Sequence, residues 1–181
     1  MHFFKKWADR KHGLLPKVLL LIPAGALFAI LIPYSLQVWM PRLDARLQLP
    51  SLLFGLVNYI IGGVLIVLGM VYALWSIGSQ LFDAGGTPVP VIPTQKLLIT
   101  PPFSHCRNPM AFGTLAAYLG FAILAGSISS VALVVVLSVL LILYIKKIEE
   151  KELEMRFGQE YLDYKALTPF MVPRLINRKN H

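Results

Sequence analysis

The chain has 181 residues, room for one domain of ordinary size, and 56% of them are hydrophobic while only 14% are charged. Soluble domains carry about a quarter charged residues, so a mean hydropathy of +0.66 with the charges gathered in clusters excludes an ordinary water-soluble domain and points to repeated passage through a bilayer. The net charge of +8 does not indicate nucleic acid, because the positives flank apolar runs where they meet lipid headgroups; the single cysteine, Cys106, excludes an internal disulfide, and four scattered histidines give no metal-site spacing.

The first apolar run, residues 18–39, follows Lys5, Lys6, Arg10, Lys11 and Lys17. It is long for the core of a signal peptide and no small-residue cleavage site ends it, so it reads as a retained span. Pro23 and Pro33 each remove a backbone donor and predict a kinked helix. A short polar segment, 41–50, carries Arg42, Asp44 and Arg46. The second span, 52–81, exceeds the ~20 residues a bilayer needs and is expected to tilt or project from it. Gly62, Gly63, Gly69 and Ala73 give it small faces for close helix packing, and Asn58 is expected to face other helices through a structural hydrogen bond.

Residues 83–108 hold Gly85, Gly86, Pro88, Pro90, Pro93, Pro101 and Pro102, which predicts a structured loop, with 91–100 partly extended. From Pro109 to Ile145 no residue is charged. That stretch is too long for one span and is cut at 126–130, so it reads as two short helices, 110–125 and 131–145, joined by a tight turn. Residues 146–164 then show helical spacing of Ile148, Leu153, Phe157, Tyr161 and Tyr164. This predicts an extension of the last span and a short amphipathic helix, broken near Gly158.

The expected fold is thus a single all-α, multi-pass membrane domain over 1–181, with about four transmembrane helices and a cytosolic C-terminal helical segment. Four spans put the N-terminal segment, the 83–108 loop and the C-terminal tail on one side, and their lysines and arginines make that side cytoplasmic. The Arg42/Arg46 loop is the exception, and a three-span arrangement would move it. The expected location is an inner membrane of bacterial type with both termini in the cytoplasm.

Two elements of this sequence meet at the cytoplasmic membrane surface. One is Arg107-Asn108-Pro109-Met110, opening the third helix with Gly113 one turn in; the other is Glu149-Glu150, after the fourth. A helix N-terminus beside an arginine favours a carboxylate. A carboxylate pair favours a cation or accepts from ribose hydroxyls. S-adenosylmethionine offers all of these groups. Two adjacent glutamates on a helix point about 100° apart, so they are not expected to share one role; Glu150 is favoured in the pocket and both stay candidates. Asn108-Pro109 also reads as a plain helix start, since Asn caps and Pro suits the first turn.

The stretch from Thr100 through Pro102, Phe103, Ser104, His105 and Cys106 to Arg107-Asn108-Pro109 and Gly113 resembles the membrane family of isoprenylcysteine carboxyl methyltransferases and phospholipid methyltransferases. Glu149-Glu150-Lys151-Glu152-Leu153, followed by Phe157-Gly158, Tyr161 and Tyr164, is similar to that family's acidic signature and tail. Gly86-Thr87-Pro88-Val89-Pro90 and Val172-Pro173-Arg174-Leu175 resemble segments of bacterial members. The resemblance spans about 83–175. It implies S-adenosylmethionine as cofactor, held near Arg107, Asn108, Pro109, Gly113, Glu149 and Glu150, and a lipidic substrate reached from the bilayer. Pro101, Phe103, Ser104 and Phe170 depart from the family pattern. They remove a tyrosine hydroxyl and two cations that bear on cofactor or substrate contacts.

The methyl acceptor reads equally as an isoprenylcysteine-like carboxylate, a phospholipid amine or a thiol. His105 is a candidate base for an amine, and Arg174 a candidate for orienting an anionic substrate. No metal and no nucleic acid are expected as partners, and the sequence carries no sign of oligomeric state. The competing class is a non-catalytic membrane scaffold or a transporter component. Against a transporter, Asn58 is the only clearly intramembrane polar group besides hydroxyls.

Overall fold

A computed structural model describes residues 22–23, 25–85 and 94–174. Among these residues the chain is all-helical, with no strand. The helices are α1 (Ala26–Leu47), α2 (Leu56–Asp83), α3 (Pro109–Ala125), α4 (Ile128–Phe157) and α5 (Gln159–Leu167). Three of them, α1, α2 and α4, are long and apolar enough to cross a membrane; α3 is apolar and, at 17 residues, at the short end of the spanning range. Large apolar side chains such as Leu56, Val67, Leu68 and Leu74 face outward, and burial is confined to the seams between helices.

The segment around Arg42, Asp44 and Arg46 departs from expectation. It is not a loop: α1 runs through Pro33 and Pro41 to Leu47, and the part of the expected first span before residue 22 lies outside the described residues. The helix survives its prolines by widening just before each. Ile32 N–H donates five residues back to the Leu27 carbonyl, and Met40 N–H donates likewise to Ser35. In that pattern the next donors would be Pro33 for the Phe28 carbonyl and Pro41 for the Leu36 carbonyl, and neither has an N–H. Both orphaned carbonyls accept a hydroxyl from a neighbouring helix instead: Tyr118 of α3 donates to Phe28 at 2.7 Å and Ser130 of α4 donates to Leu36 at 2.7 Å. Tyr118→Phe and Ser130→Ala should each lower stability by ~1 kcal/mol, read as earlier thermal unfolding in detergent. Unchanged melting in both would remove this account of how α1 tolerates its prolines.

One end of the bundle is closed by polar contacts. Ser127 caps α4, accepting from Ser130 N–H, so the helix starts at Ile128 rather than 131. The buried Asp44 carboxylate accepts from Ser127 Oγ and from Ser129 N–H at 3.1 Å, placing a negative charge where the helix end is positive. Asn58 is buried at the same end. It accepts from Phe54 N–H and donates to the Leu52 and Ile123 carbonyls, the structural role expected of it.

The widest contact in the molecule joins α2 to α3. Gly62, Gly69 and Ala73 face Gly120, Ala117 and Gly113 with backbones almost touching, whereas Gly63 points into open space and takes no part. The α3–α4 turn at Gly126 makes these two helices antiparallel neighbours, so the start of α3 and the far end of α4 lie at the opposite end from Asp44. Beyond Ile145, α4 continues without interruption into the charged region and ends at Phe157. Residues 94–100 form no strand, and 91–93 lie outside the described residues.

Candidate functional site

The end of the bundle opposite Asp44 gathers the end of α2, the loop leading into α3, the charged end of α4, and α5. The charge-free part of α4 stops at Ile145, and a wide turn over Ile145–Glu149 follows, in which Glu150 N–H donates to the Ile145 carbonyl. The wider turn narrows the angle between successive side chains. Glu150 is therefore buried, at 5% exposed, and the half-buried Glu149 lines the same cleft. An angular separation fit for an ordinary α-helix does not apply here.

Gly158 lets the chain double back. Its φ of +54° is open to glycine and costly for other residues, and it lays α5 against α4. Lys165 then reaches Glu154 Oε1 at 2.7 Å and Glu150 Oε2 at 2.9 Å. These two carboxylates raise the lysine's pKa, so it stays charged throughout the physiological range. On the other side of Glu150, Arg107 Nη2 lies 3.0 Å from Oε1. The contact is Coulombic only, because Glu150 Oε1 makes no hydrogen bond.

Arg107 is fixed by the C-terminal segment. Its N–H donates to the Pro169 carbonyl at 2.8 Å, and its Nη1 to the Lys165 carbonyl at 3.1 Å. The Phe170 ring lies 5.7 Å from the Arg107 guanidinium and 4.9 Å from the Lys146 ammonium. A phenylalanine suits this place better than the family's arginine, which would sit between two like charges. Asn108 occupies the position before α3, but its side chain makes no cap; it donates to the Phe170 carbonyl at 2.7 Å. The Tyr164 hydroxyl donates to the Phe103 carbonyl at 2.7 Å, and burial pushes its pKa up, so the phenol keeps its proton. Phe103 packs with Ala84 and Leu98 and lines the same cleft as Glu149 and Glu150.

Between these elements lies a cleft of about 70 Å³, bounded by Gln80 of α2, Leu98 and Arg107 of the loop, Glu149 and Glu150 of α4, and Tyr161 of α5. Three buried polar atoms on its lining residues have no hydrogen-bond partner among the described residues: Gln80 Oε1, Arg107 Nε and Glu150 Oε1. Buried polar atoms are nearly always partnered. Three on residues that line one cleft, of both donor and acceptor type, make it the candidate site for a polar ligand.

Of the residues singled out in the sequence, Arg107, Asn108, Glu149 and Glu150 line this cleft. Pro109 is buried in the first turn of α3, and Gly113 lies in the α2–α3 seam, against the Gly69 carbonyl. His105 and Arg174 do not line the cleft. The His105 ring stacks on Tyr72 and meets Trp75 edge-on, with its Nδ1 3.3 Å from the Tyr72 hydroxyl, and its carbonyl accepts from Arg174 N–H. Burial raises the pKa of the neighbouring Cys106 thiol, which leaves it a poor nucleophile. Sequence reasoning did not single out Gln80 or Lys165. The signal for Lys165 is the row Glu150–Glu154, one turn apart, which calls for a cation; Gln80 stands out only as an amide near the end of an apolar helix.

The sequence profile of the family described as phospholipid methyltransferase matches residues 57–160, from the first turn of α2 to the second residue of α5. The chain belongs to the phospholipid methyltransferase family. A family member of this architecture is an integral membrane protein and a methyltransferase of lipid-type substrates. The match takes in Gln80, the loop, Arg107-Asn108-Pro109 and both glutamates, and stops short of Lys165 and Phe170. Neither curated proteins nor solved structures gave a match to this phospholipid methyltransferase family member.

Proposed function

We propose that this chain transfers a methyl group from S-adenosylmethionine to a lipidic acceptor at the membrane surface, and that the cleft at Arg107 and Glu150 holds the cofactor. The observation that carries this is that Arg107 and Glu150 line one cleft, and that a buried donor on the first (Nε) and a buried acceptor on the second (Oε1) have no hydrogen-bond partner among the described residues. A zwitterionic amino acid end needs that combination. Arg107, just before the start of α3, suits the carboxylate. Glu150 and Glu149 suit the ammonium and the ribose hydroxyls. When bound, S-adenosylmethionine supplies an electrophilic methyl carbon on a sulfonium.

A cleft of about 70 Å³ is narrower than the ~300 Å³ or more that drug-sized ligands fill. The Arg107–Glu150 contact therefore has to part on binding. Parting is inexpensive because each partner exchanges a misaligned ion pair for a ligand group of the right sign. Lys165 holds the other oxygen of Glu150 and keeps the carboxylate in place meanwhile. The chain's own task is then to hold acceptor and methyl group in line and to exclude water, with α5 covering the cleft.

The family favours a phospholipid amine as acceptor, ahead of an isoprenylcysteine-like carboxylate or a thiol. An amine must lose a proton. Glu149 lines the cleft and pairs with no cation among the described residues, whereas His105 is packed between aromatic rings, so Glu149 is the better-placed base. The basic end of the bundle, with Lys146, Lys147 and the C-terminal segment, faces the cytoplasm. Calorimetry in detergent should find binding of S-adenosylhomocysteine that Arg107→Ala weakens by at least about tenfold. Labelled methyl should pass from the cofactor into membrane lipid extracts. Absence of binding by the intact protein would return it to the scaffold or transporter class.

A further inference from the structure

Gln80 belongs to the same cleft, and the charged chemistry at Arg107 and Glu150 gives it nothing to do. It sits in another wide turn, Ser79–Asp83, at the end of α2, where Ala84 N–H donates five residues back to Ser79. Wide turns of this kind are rare and concentrate at functional sites. The loop is tied to this helix end, since Gln95 N–H donates to the Ala84 carbonyl at 2.8 Å. Ala84, Leu98 and Phe103 pack there as a small buried apolar cluster. Leu97, Leu98 and Phe103 line the cleft together with Gln80 and bring apolar side chains to it, in contrast to the two carboxylates of α4. Gln80 lines this cleft, and its side-chain carbonyl oxygen is buried without a hydrogen-bond partner among the described residues.

A buried neutral acceptor calls for a donor that is itself uncharged. An ammonium or a ribose hydroxyl does better on the Glu149 and Glu150 carboxylates, where the hydrogen bond is charge-assisted. A flat, largely apolar base with one exocyclic amine offers a donor of that kind, once the cleft opens on binding. We infer that Gln80 is the residue that reads the cofactor's adenine, its Oε1 accepting from the exocyclic amine while Leu98 and Phe103 flank the ring. This assignment rests on the cofactor reading above and adds a specificity-determining residue to it.

The test is a cycle of two ligands on two proteins, by calorimetry in detergent. The ligands are S-adenosylhomocysteine and its purine-riboside counterpart, which lacks only the exocyclic amine; the proteins are the intact chain and Gln80→Leu. Loss of the amine should weaken binding about tenfold in the intact chain, since it leaves a buried acceptor unpaired. In Gln80→Leu the two ligands should bind within about twofold of each other. Gln80→Glu keeps an acceptor at this position and should retain the preference for the amine, which covers the case of a leucine variant that folds poorly. An equal loss for both ligands in Gln80→Leu, or an intact chain indifferent to the amine, overturns the adenine assignment and leaves the cofactor reading standing. Binding of neither ligand by the intact chain overturns both.

Discussion

Glu150→Ala should be among the most damaging single substitutions in this protein, both to stability and to ligand binding. The Glu150 carboxylate is 5% exposed and sits between Arg107 at 3.0 Å and Lys165 at 2.9 Å. Removing it leaves the Arg107 guanidinium, whose side chain is 10% exposed, with no counter-charge, whereas Lys165 keeps Glu154. Breaking a buried pair from one side typically costs ~3–5 kcal/mol, because the remaining charge stays buried and unpaired. The double variant Arg107→Met/Glu150→Met removes both charges together and should recover much of that loss. It should not recover binding of S-adenosylhomocysteine, since the groups that recognise a carboxylate and an ammonium are gone. Thermal unfolding and calorimetry on the same three proteins separate the two effects. A double variant that binds as well as the intact chain would sink the assignment of this cleft to the cofactor.

Gly113→Val is the second large effect, and it works at a distance from the cleft. A Cβ at Gly113 would lie 2.6 Å from the Gly69 carbonyl oxygen and 2.7 Å from Ala73 N. Both are backbone atoms of α2 and cannot swing aside, so the helices must separate. Overpacking of this kind costs up to ~3 kcal/mol. The separation also tilts the start of α3, where Arg107 and Asn108 lead in, away from Gln80 on α2. We expect a low yield of monodisperse protein in detergent, early unfolding and loss of ligand binding. Gly63→Val is the control: a Cβ there meets nothing within 4 Å, so it should behave as the intact chain does. Equal behaviour of the two variants would mean that the seam is not what sets the distance between α2 and α3.

The two substitutions show how differently the sequence announces its features. Gly69, Ala73 and Gly113 are legible as small residues at helical spacing, but small residues occur on both sides of many helices. Gly63 has the same appearance as Gly62 and touches nothing. Gly113 was also readable as part of a cofactor motif, since it follows Arg107-Asn108-Pro109 at the family spacing; its place in the α2–α3 seam is set by α2, which begins 57 residues earlier. Asn108 reads as a helix cap by residue type, yet its side chain goes to the Phe170 carbonyl, a partner 62 residues away.

What the sequence determined by itself was the set of long apolar runs, the break at Gly126 and Ser127, the break near Gly158, and the concentration of charge at one end of the bundle. These are local properties: hydrophobicity over a bilayer's width, a residue type open to positive φ, and the cost of charge in lipid. Tertiary structure alone decided that α1 passes through Pro33 and Pro41, because the carbonyls those prolines abandon are satisfied by Tyr118 and Ser130 from other helices. It likewise decided that Glu149 and Glu150 share one cleft, through a wide turn that no periodicity announces, that Gln80 joins them there, and that Lys165 pairs with Glu150. The physical reason is the same in each case. A polar group taken out of water calls for a partner, from the protein or from a ligand, and which groups come together depends on helices that are distant in the chain.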